Sequence, residues 1–186
     1  MRKTTRHAIN KAIKAGVTTE IITDPAEALE RFWPLYEETR GRHGFVLWPK
    51  TSIEAQLKLL SETNSIFAVI ARHDNKDVAA AILPHFSDTV FYYHGASTKL
   101  PSSIPAAQLL QWAAIQEAQR RGAKQYNFWG IAPANEPQHP FAGITTFKTG
   151  FGGYEKDYLH AQDLPLSAGY WGLWLVDTYR KLKRGF

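Results

Sequence analysis

Residues 79–83 read Ala-Ala-Ala-Ile-Leu, five apolar residues with no polar interruption. A strand with one wet face alternates apolar and polar residues, because successive side chains point to opposite faces. An unbroken apolar run bounded by turn residues fits a strand covered on both faces. Its flanks define its neighbours. Ser65–Arg72 is rich in β-branched and aromatic residues, and the polar turn His73–Asp77 joins it to Val78–Phe86 as a hairpin. Ser87 and Asp88 make a second short turn into Thr89–Ala96, which completes an antiparallel meander. After a loop rich in proline and serine comes a helix ending near Arg121, with Ala106, Leu109, Leu110, Ala113 and Ala114 facing inward. Gly122 stops it, and Lys124–Trp129 reads as the next strand. A strand, a helix and a strand in succession form a crossover, which lays the two strands parallel. The fold class is therefore α/β: a mixed sheet flanked by helices.

Upstream of the meander, Arg2–Ala15 reads as a helix ended by Gly16, and Val17–Ile22 as a short strand. Asp24 is suited to cap a second helix, with Pro25 at its first position and Glu27 at its third. Pro34 should kink or split that helix. Thr51–Leu60 reads as a third helix. Downstream, Lys156–Asp163 reads as a last strand and Ser167–Lys183 as a closing helix. The order expected is α-β-α-α-β-β-β-α-β-α-β-α, the layout of a GNAT-like N-acyltransferase fold in a single domain spanning 1–186.

The chain has 186 residues and no cysteine, which excludes disulfides and thiolate metal sites. Its seven histidines show neither HxH nor HxxxH spacing, so neither a metal nor a cofactor is expected. The N-terminus is basic but lacks the apolar core of a secretory leader, which points to the cytoplasm. The formal net charge is +5, and its distribution is uneven. Arg2, Lys3, Arg6, Lys11 and Lys14 crowd one end, and Arg180, Lys181, Lys183 and Arg184 the other. Basic ends attract polyanions: nucleic acid, a pyrophosphate or an anionic membrane surface.

Phe141–Gly153, FAGITTFKTGFGG, carries the densest mixture of aromatic, cationic and glycine residues. Two helical turns fit 142–149, with Gly150 expected in the left-handed region that ends a helix. Gly152 and Gly153 leave bare backbone beside Phe147, Lys148 and Phe151. Such a segment can approach a large, flat anionic ligand, or can simply be a helix stop leading into a turn.

Four segments together resemble the Fem-type (FemABX) peptidyltransferases. They are RKTTRHAINKAIKAGV (2–17), FWPLYEETRGRHGF (32–45), the stretch from YYHGAS to NFWGI (92–131) and FAGITTFKTGFGGYEKDYLHAQDLPL (141–166). The last is the most specific, through its FKxGFGG core, and the resemblance covers nearly the whole chain. It implies the second GNAT-like domain of a two-domain enzyme that takes an amino acid from aminoacyl-tRNA. The acceptor would be the side-chain amine of a peptidoglycan stem peptide, carried on a nucleotide or a lipid. It implies Lys148 as the catalytic cation, and Phe147, Lys148, Gly150 and Phe151 at the tRNA acceptor end. Arg42, Lys50, Tyr93 and Trp129 are the expected substrate-binding residues. A partner chain or a first domain would complete the acceptor site, and a lipid-linked acceptor would bring the protein to the inner face of the membrane.

Two positions depart from the family pattern. Asn127 stands where a carboxylate is usual in the YDFWG stretch, and Thr146 replaces the arginine of RFK. A rival reading is an acyl-CoA-dependent N-acyltransferase. It needs a glycine-rich loop at a helix N-terminus to hold a pyrophosphate, and residues 99–105, KLPSSIP, contain no glycine. A third is a non-catalytic module that binds RNA or membrane through its basic ends.

Overall fold

The computed structural model describes the chain apart from Phe45, Ser102, Ala134, Asn135, Pro137, His160, Ala161, Gly185, Phe186 and the side chains of His43 and Arg184. It divides into two compact units, Met1–Gly130 and Ile131–Phe186.

The first unit holds α1 (Lys3–Lys14), β1 (Thr18–Ile22), α2 (Pro25–His43), α3 (Lys50–Ser61), β2 (Ile66–His73), β3 (Lys76–Phe86), β4 (Thr89–Phe91), β5 (His94–Ser97), α4 (Ala106–Arg120) and β6 (Gln125–Asn127). The sheet runs β1-β2-β3-β4-β6, with β5 also paired to β3. All pairs are antiparallel except β4 and β6, which the crossover makes parallel. β3 is the buried centre, its residues 79–83 no more than 2% exposed. Even-numbered residues of β2 and β3 (Ile66, Ala68, Ile70, Ala80, Ile82) join Phe32, Leu35 and Tyr36 of α2 and Ile53 and Leu57 of α3 in one cluster. The odd-numbered residues Phe67, Val69, Ala79, Ala81 and Leu83 are equally buried, and α4 lies against β2 and β3. Burial on both faces is why β3 carries no polar alternation.

Local signals set the helix ends. The Glu27 amide donates to Asp24 Oδ1 at 2.8 Å, and Pro25 begins α2. α2 runs through Pro34 without splitting, because its apolar face (Phe32, Leu35, Tyr36) is held on the sheet. Gly16 and Gly122 stop α1 and α4 at φ 82° and 83°, where a side chain would be strained.

The second unit contains α5 (Ala142–Thr149) and α6 (Gly169–Arg184). Two expectations fail here. The last strand, 156–163, does not form: 156–159 and 162–163 are irregular and belong to no ladder, while His160 and Ala161 lie outside the described residues. A strand needs a backbone partner, and Glu155, Lys156 and Asp157 have low strand preference. Gly150 is right-handed (φ −60°, ψ −29°), not left-handed. The helix closes later, through bonds from the Phe151 amide to Lys148 O and the Gly152 amide to Thr149 O, and Gly152 and Gly153 take the positive φ. The expected strand 89–96 is present but broken into β4 and β5, and that break builds the site.

Candidate active site

β4 and β6 run side by side only briefly. Val90 pairs with Tyr126 and Phe91 with Asn127, and a last bond runs from the Tyr92 amide to Asn127 O at 2.9 Å. Beyond it the two chains part. On one side the register against β3 slips: His85 faces Val90, but Ile82 faces His94. Three steps along β3 therefore match four along its partner, so one residue of the Tyr92–Tyr93 step is extra and forms a bulge. On the other side the chain turns at Trp129, which has φ 65°. Asn127 Oδ1 accepts the Trp129 amide at 2.7 Å, an Asx turn that supports this conformation. No ladder joins β5 to 128–130 among the described residues, and the sheet is splayed there.

The inner wall of the splay is a part-buried polar cluster. The Tyr126 hydroxyl donates to Gln111 Oε1 at 2.7 Å, and Tyr92 bonds to the same side chain. Gln111 is 1% exposed. Burial pushes the Tyr92 phenol up to about 12 and Tyr126 well above its ordinary value, so both stay neutral. The Tyr92 ring lies over Gly95: a Cβ there would fall 1.9 Å from Tyr92 Oη and 2.5 Å from Cζ. Only glycine admits this packing.

The outer rim is aromatic. Tyr93 and Trp129 meet edge to face at 5.6 Å, and Phe91 meets Trp129 at 5.8 Å. Tyr93 also packs on His94 at 4.5 Å, and Trp48 approaches His94 at 6.4 Å. Tyr93, Trp48 and Trp129 remain exposed. His94 is buried, and burial pushes its imidazole down to about 4. It is therefore neutral at pH 7, with Nε2 donating to Gln56 Oε1 at 3.2 Å.

The second unit carries the FKTGFGG segment. Phe147 and Phe151 meet edge to face at 5.5 Å, and Phe151 is buried. Lys148, in the last turn of α5, is only 8% exposed, and burial lowers its pKa. Few lysines are buried so far. Thr145 Oγ1 donates to Phe141 O and accepts the Ala132 amide, which ties the preceding loop to the helix.

Comparison with known proteins agrees with the resemblance. The FemAB family profile matches residues 49–171, about two thirds of the chain, including the splay and the FKTGFGG segment. This chain belongs to the FemAB family. Among solved structures, the crystal structure of FemX superposes with a TM-score of 0.74 at 16% identity, over 82% of this chain and 54% of FemX. The C-terminal domain of a putative lysylphosphatidylglycerol synthetase from Agrobacterium fabrum gives 0.60 at 14%, over 80% of this chain and 50% of that one. An aminoglycoside acetyltransferase from an uncultured soil metagenomic sample, in complex with sisomicin, gives 0.55 at 14%, over 82% and 99%. The fold is thus the GNAT-like fold of N-acyltransferases. The chain spans about half the length of the first two structures. No curated protein sequence matches it.

In this FemAB-family chain the expected substrate residues all fall in the first unit, and the structure joins two of them, Tyr93 and Trp129. Lys50 opens α3, with its ammonium 5.7 Å from the centre of the Trp33 ring. Arg42 is occupied: its guanidinium bonds Ser97 O, Ser97 Oγ and Glu38, bracing α2 against β5. The expected tRNA-binding residues all lie on α5 or just after it. Sequence reasoning missed Gln111, Gly95 and Trp48. Gly95 had a signal, since a glycine within a strand marks close approach. The others are set by packing between distant elements.

Proposed function

We propose that this chain is the second acyltransferase domain, spanning 1–186, of a FemAB-type enzyme. It would move an amino acid from aminoacyl-tRNA to the side-chain amine of a peptidoglycan stem peptide carried on a nucleotide or lipid. The observation that carries the reading is a lysine, Lys148, buried within the family-matched segment. A buried lysine is costly to keep, and a cation is what this reaction needs. The acceptor amine attacks the ester carbonyl, and negative charge develops on the carbonyl oxygen. The tetrahedral intermediate then collapses: the C–N bond stays, the C–O bond breaks, and the amine proton passes to the departing ribose oxygen. Lys148 stabilises the oxyanion. One such donor is typically worth about 3 to 4 kcal/mol. Phe147 stacks on a terminal base, beside Gly150 and Phe151. Tyr93, Trp129 and Lys50 receive the acceptor, and Arg42 adds positive charge while bracing α2. The amine is already a nucleophile, so no Ser-His-Asp set is required.

The protein would act in the cytoplasm, peripherally at the inner face of the membrane. No helix among the described residues is long and apolar enough to cross a membrane. α6, however, places Trp171, Trp174, Leu175 and Leu182 on one face by their spacing, all exposed, with Lys181 at its edge and Arg180 and Lys183 elsewhere on the helix. That combination suits the surface of an anionic bilayer.

The first test is equilibrium binding of a short RNA hairpin ending in CCA, against the same hairpin without CCA, at two salt concentrations. CCA-dependent affinity lost in both Phe147→Ala and Lys148→Ala supports the reading. Equal, steeply salt-dependent binding of both hairpins, indifferent to the substitutions, overturns it and leaves a basic surface alone.

A further inference from the structure

Five described residues other than glycine have positive φ: Asn64, Asp74, Asn75, Ser87 and Trp129. Four are short polar residues in turns, where this conformation is common. Trp129 is a large aromatic, for which it is an outlier. Such strain persists only where the surroundings hold it, and it clusters where ligands are gripped. Burial does not explain it here, because the Trp129 side chain stays 57% exposed. The chain bends unfavourably and still leaves the indole in solvent, against the edges of Tyr93 and Phe91.

What holds the bend is Asn127. Its side-chain oxygen accepts the Trp129 amide at 2.7 Å, and its main-chain oxygen accepts the Tyr92 amide at 2.9 Å, the last bond before the sheet opens. One residue therefore sits at the apex of the splay and shapes both of its sides. We propose that Asn127 is a positioning residue: it locks Trp129 in the left-handed turn, so that the indole and Tyr93 form the rim that orients the acceptor. The bond uses only a side-chain oxygen. A carboxylate at this position would accept it equally, so the amide here preserves the function without supplying a base. The functional part of the proposal rests on Tyr93 and Trp129 receiving the acceptor, as above.

The test keeps the two apart. The full chain is labelled with 5-fluorotryptophan, and the six indoles are followed by fluorine NMR, with Trp129 assigned through Trp129→Phe. Asn127→Asp should leave the Trp129 signal in place, and Asn127→Leu should shift or broaden it while the signals of the part-buried Trp33 and Trp112 stay. In transfer assays Asn127→Leu should raise KM for the acceptor about tenfold with kcat little changed, and Asn127→Asp should restore it. In a Trp129→Gly background, where the turn is unstrained, Asn127→Leu should add nothing further. An unmoved Trp129 signal in Asn127→Leu overturns the proposal. So does general unfolding in both Asn127→Asp and Asn127→Leu, or an undiminished effect in the Trp129→Gly background. Absence of any transfer by the wild type, with the fluorine result as expected, instead counts against the proposed reaction and leaves the turn assignment standing.

Discussion

His94 should make this fold sensitive to mild acid. The imidazole is 4% exposed and walled by Phe32, Tyr36, Trp48 and Tyr93 at 6.2, 6.1, 6.4 and 4.5 Å between ring centres. Burial pushes its pKa from the ordinary 6.5 down to about 4. In the unfolded chain the same ring takes a proton near pH 6.5. Between those values the unfolded state binds more protons than the native state, so stability rises with pH across that window. The contribution is complete above pH 6.5 and lost as pH falls towards 4. At 1.36 kcal/mol per pH unit, the difference amounts to about 3 kcal/mol. Other groups titrate in the same range, so the measurement must be differential. Urea unfolding of the wild type and His94→Phe, followed by circular dichroism from pH 7.5 to 4, isolates the contribution of the imidazole. Phenylalanine keeps an aromatic body and cannot titrate; losing the bond to Gln56 is a cost that does not vary with pH. The stability difference should move by about 3 kcal/mol in favour of His94→Phe as the pH falls. A difference that stays constant, or an NMR titration placing His94 near 6.5, would refute the reasoning.

Three further outcomes are expected. Gly95→Ala drives a methyl group into the Tyr92 ring, which its bond to Gln111 holds in place, and should cost about 1 to 3 kcal/mol in thermal unfolding; the cost should shrink in a Tyr92→Leu background. Arg31→Ala removes a guanidinium that grips Asp77 through two bonds (2.8 and 2.9 Å) and reaches Glu20 at 2.7 Å, tying α2 to β3 and β1. Its side chain is 18% exposed, so denaturation should show a loss of about 1 to 3 kcal/mol, with Arg31→Lys recovering only part. Lys148→Ala should lower kcat for aminoacyl transfer about 100- to 1,000-fold in a single-turnover assay, and a loss confined to KM would move Lys148 from catalysis to binding.

The fold was legible where its determinants are local. Ala79–Leu83 announces a strand buried on both faces, the polar turns announce the hairpins, and Gly16 and Gly122 mark helix ends that the backbone confirms. Two elements were not legible, because pairing decides them. Thr89–Ala96 looks like one strand, yet it divides because β6 holds its first part and β3 takes up its second in a shifted register. Alternation along the chain cannot reveal an extra residue at Tyr92–Tyr93. Residues 156–163 carry tyrosine and leucine enough to look extended, but nothing in a sequence says whether a sheet edge is there to receive them.

The same distinction runs through the site. Tyr93, Trp129 and the FKTGFGG segment stand out by residue type and by resemblance. Their surroundings (Gly95 under Tyr92, Gln111 between two phenols, His94 in an aromatic cage) come from four separated elements and have no local signature. Asn127 lies between these cases. As a motif position it looks like a lost carboxylate, and the loss would matter if the reaction needed a base there. The geometry assigns its oxygen to the Trp129 amide, a bond that asparagine and aspartate make alike. In the proposed aminolysis the nucleophile is an amine that requires orientation and a cation at the oxyanion more than it requires deprotonation by the protein. The replacement that bears on the proposed chemistry is then Thr146, whose hydroxyl turns back to Ala142 O at 3.1 Å at the position where the resemblance implies an arginine. Without that cation, the proposed stabilisation of the oxyanion would rest more heavily on Lys148.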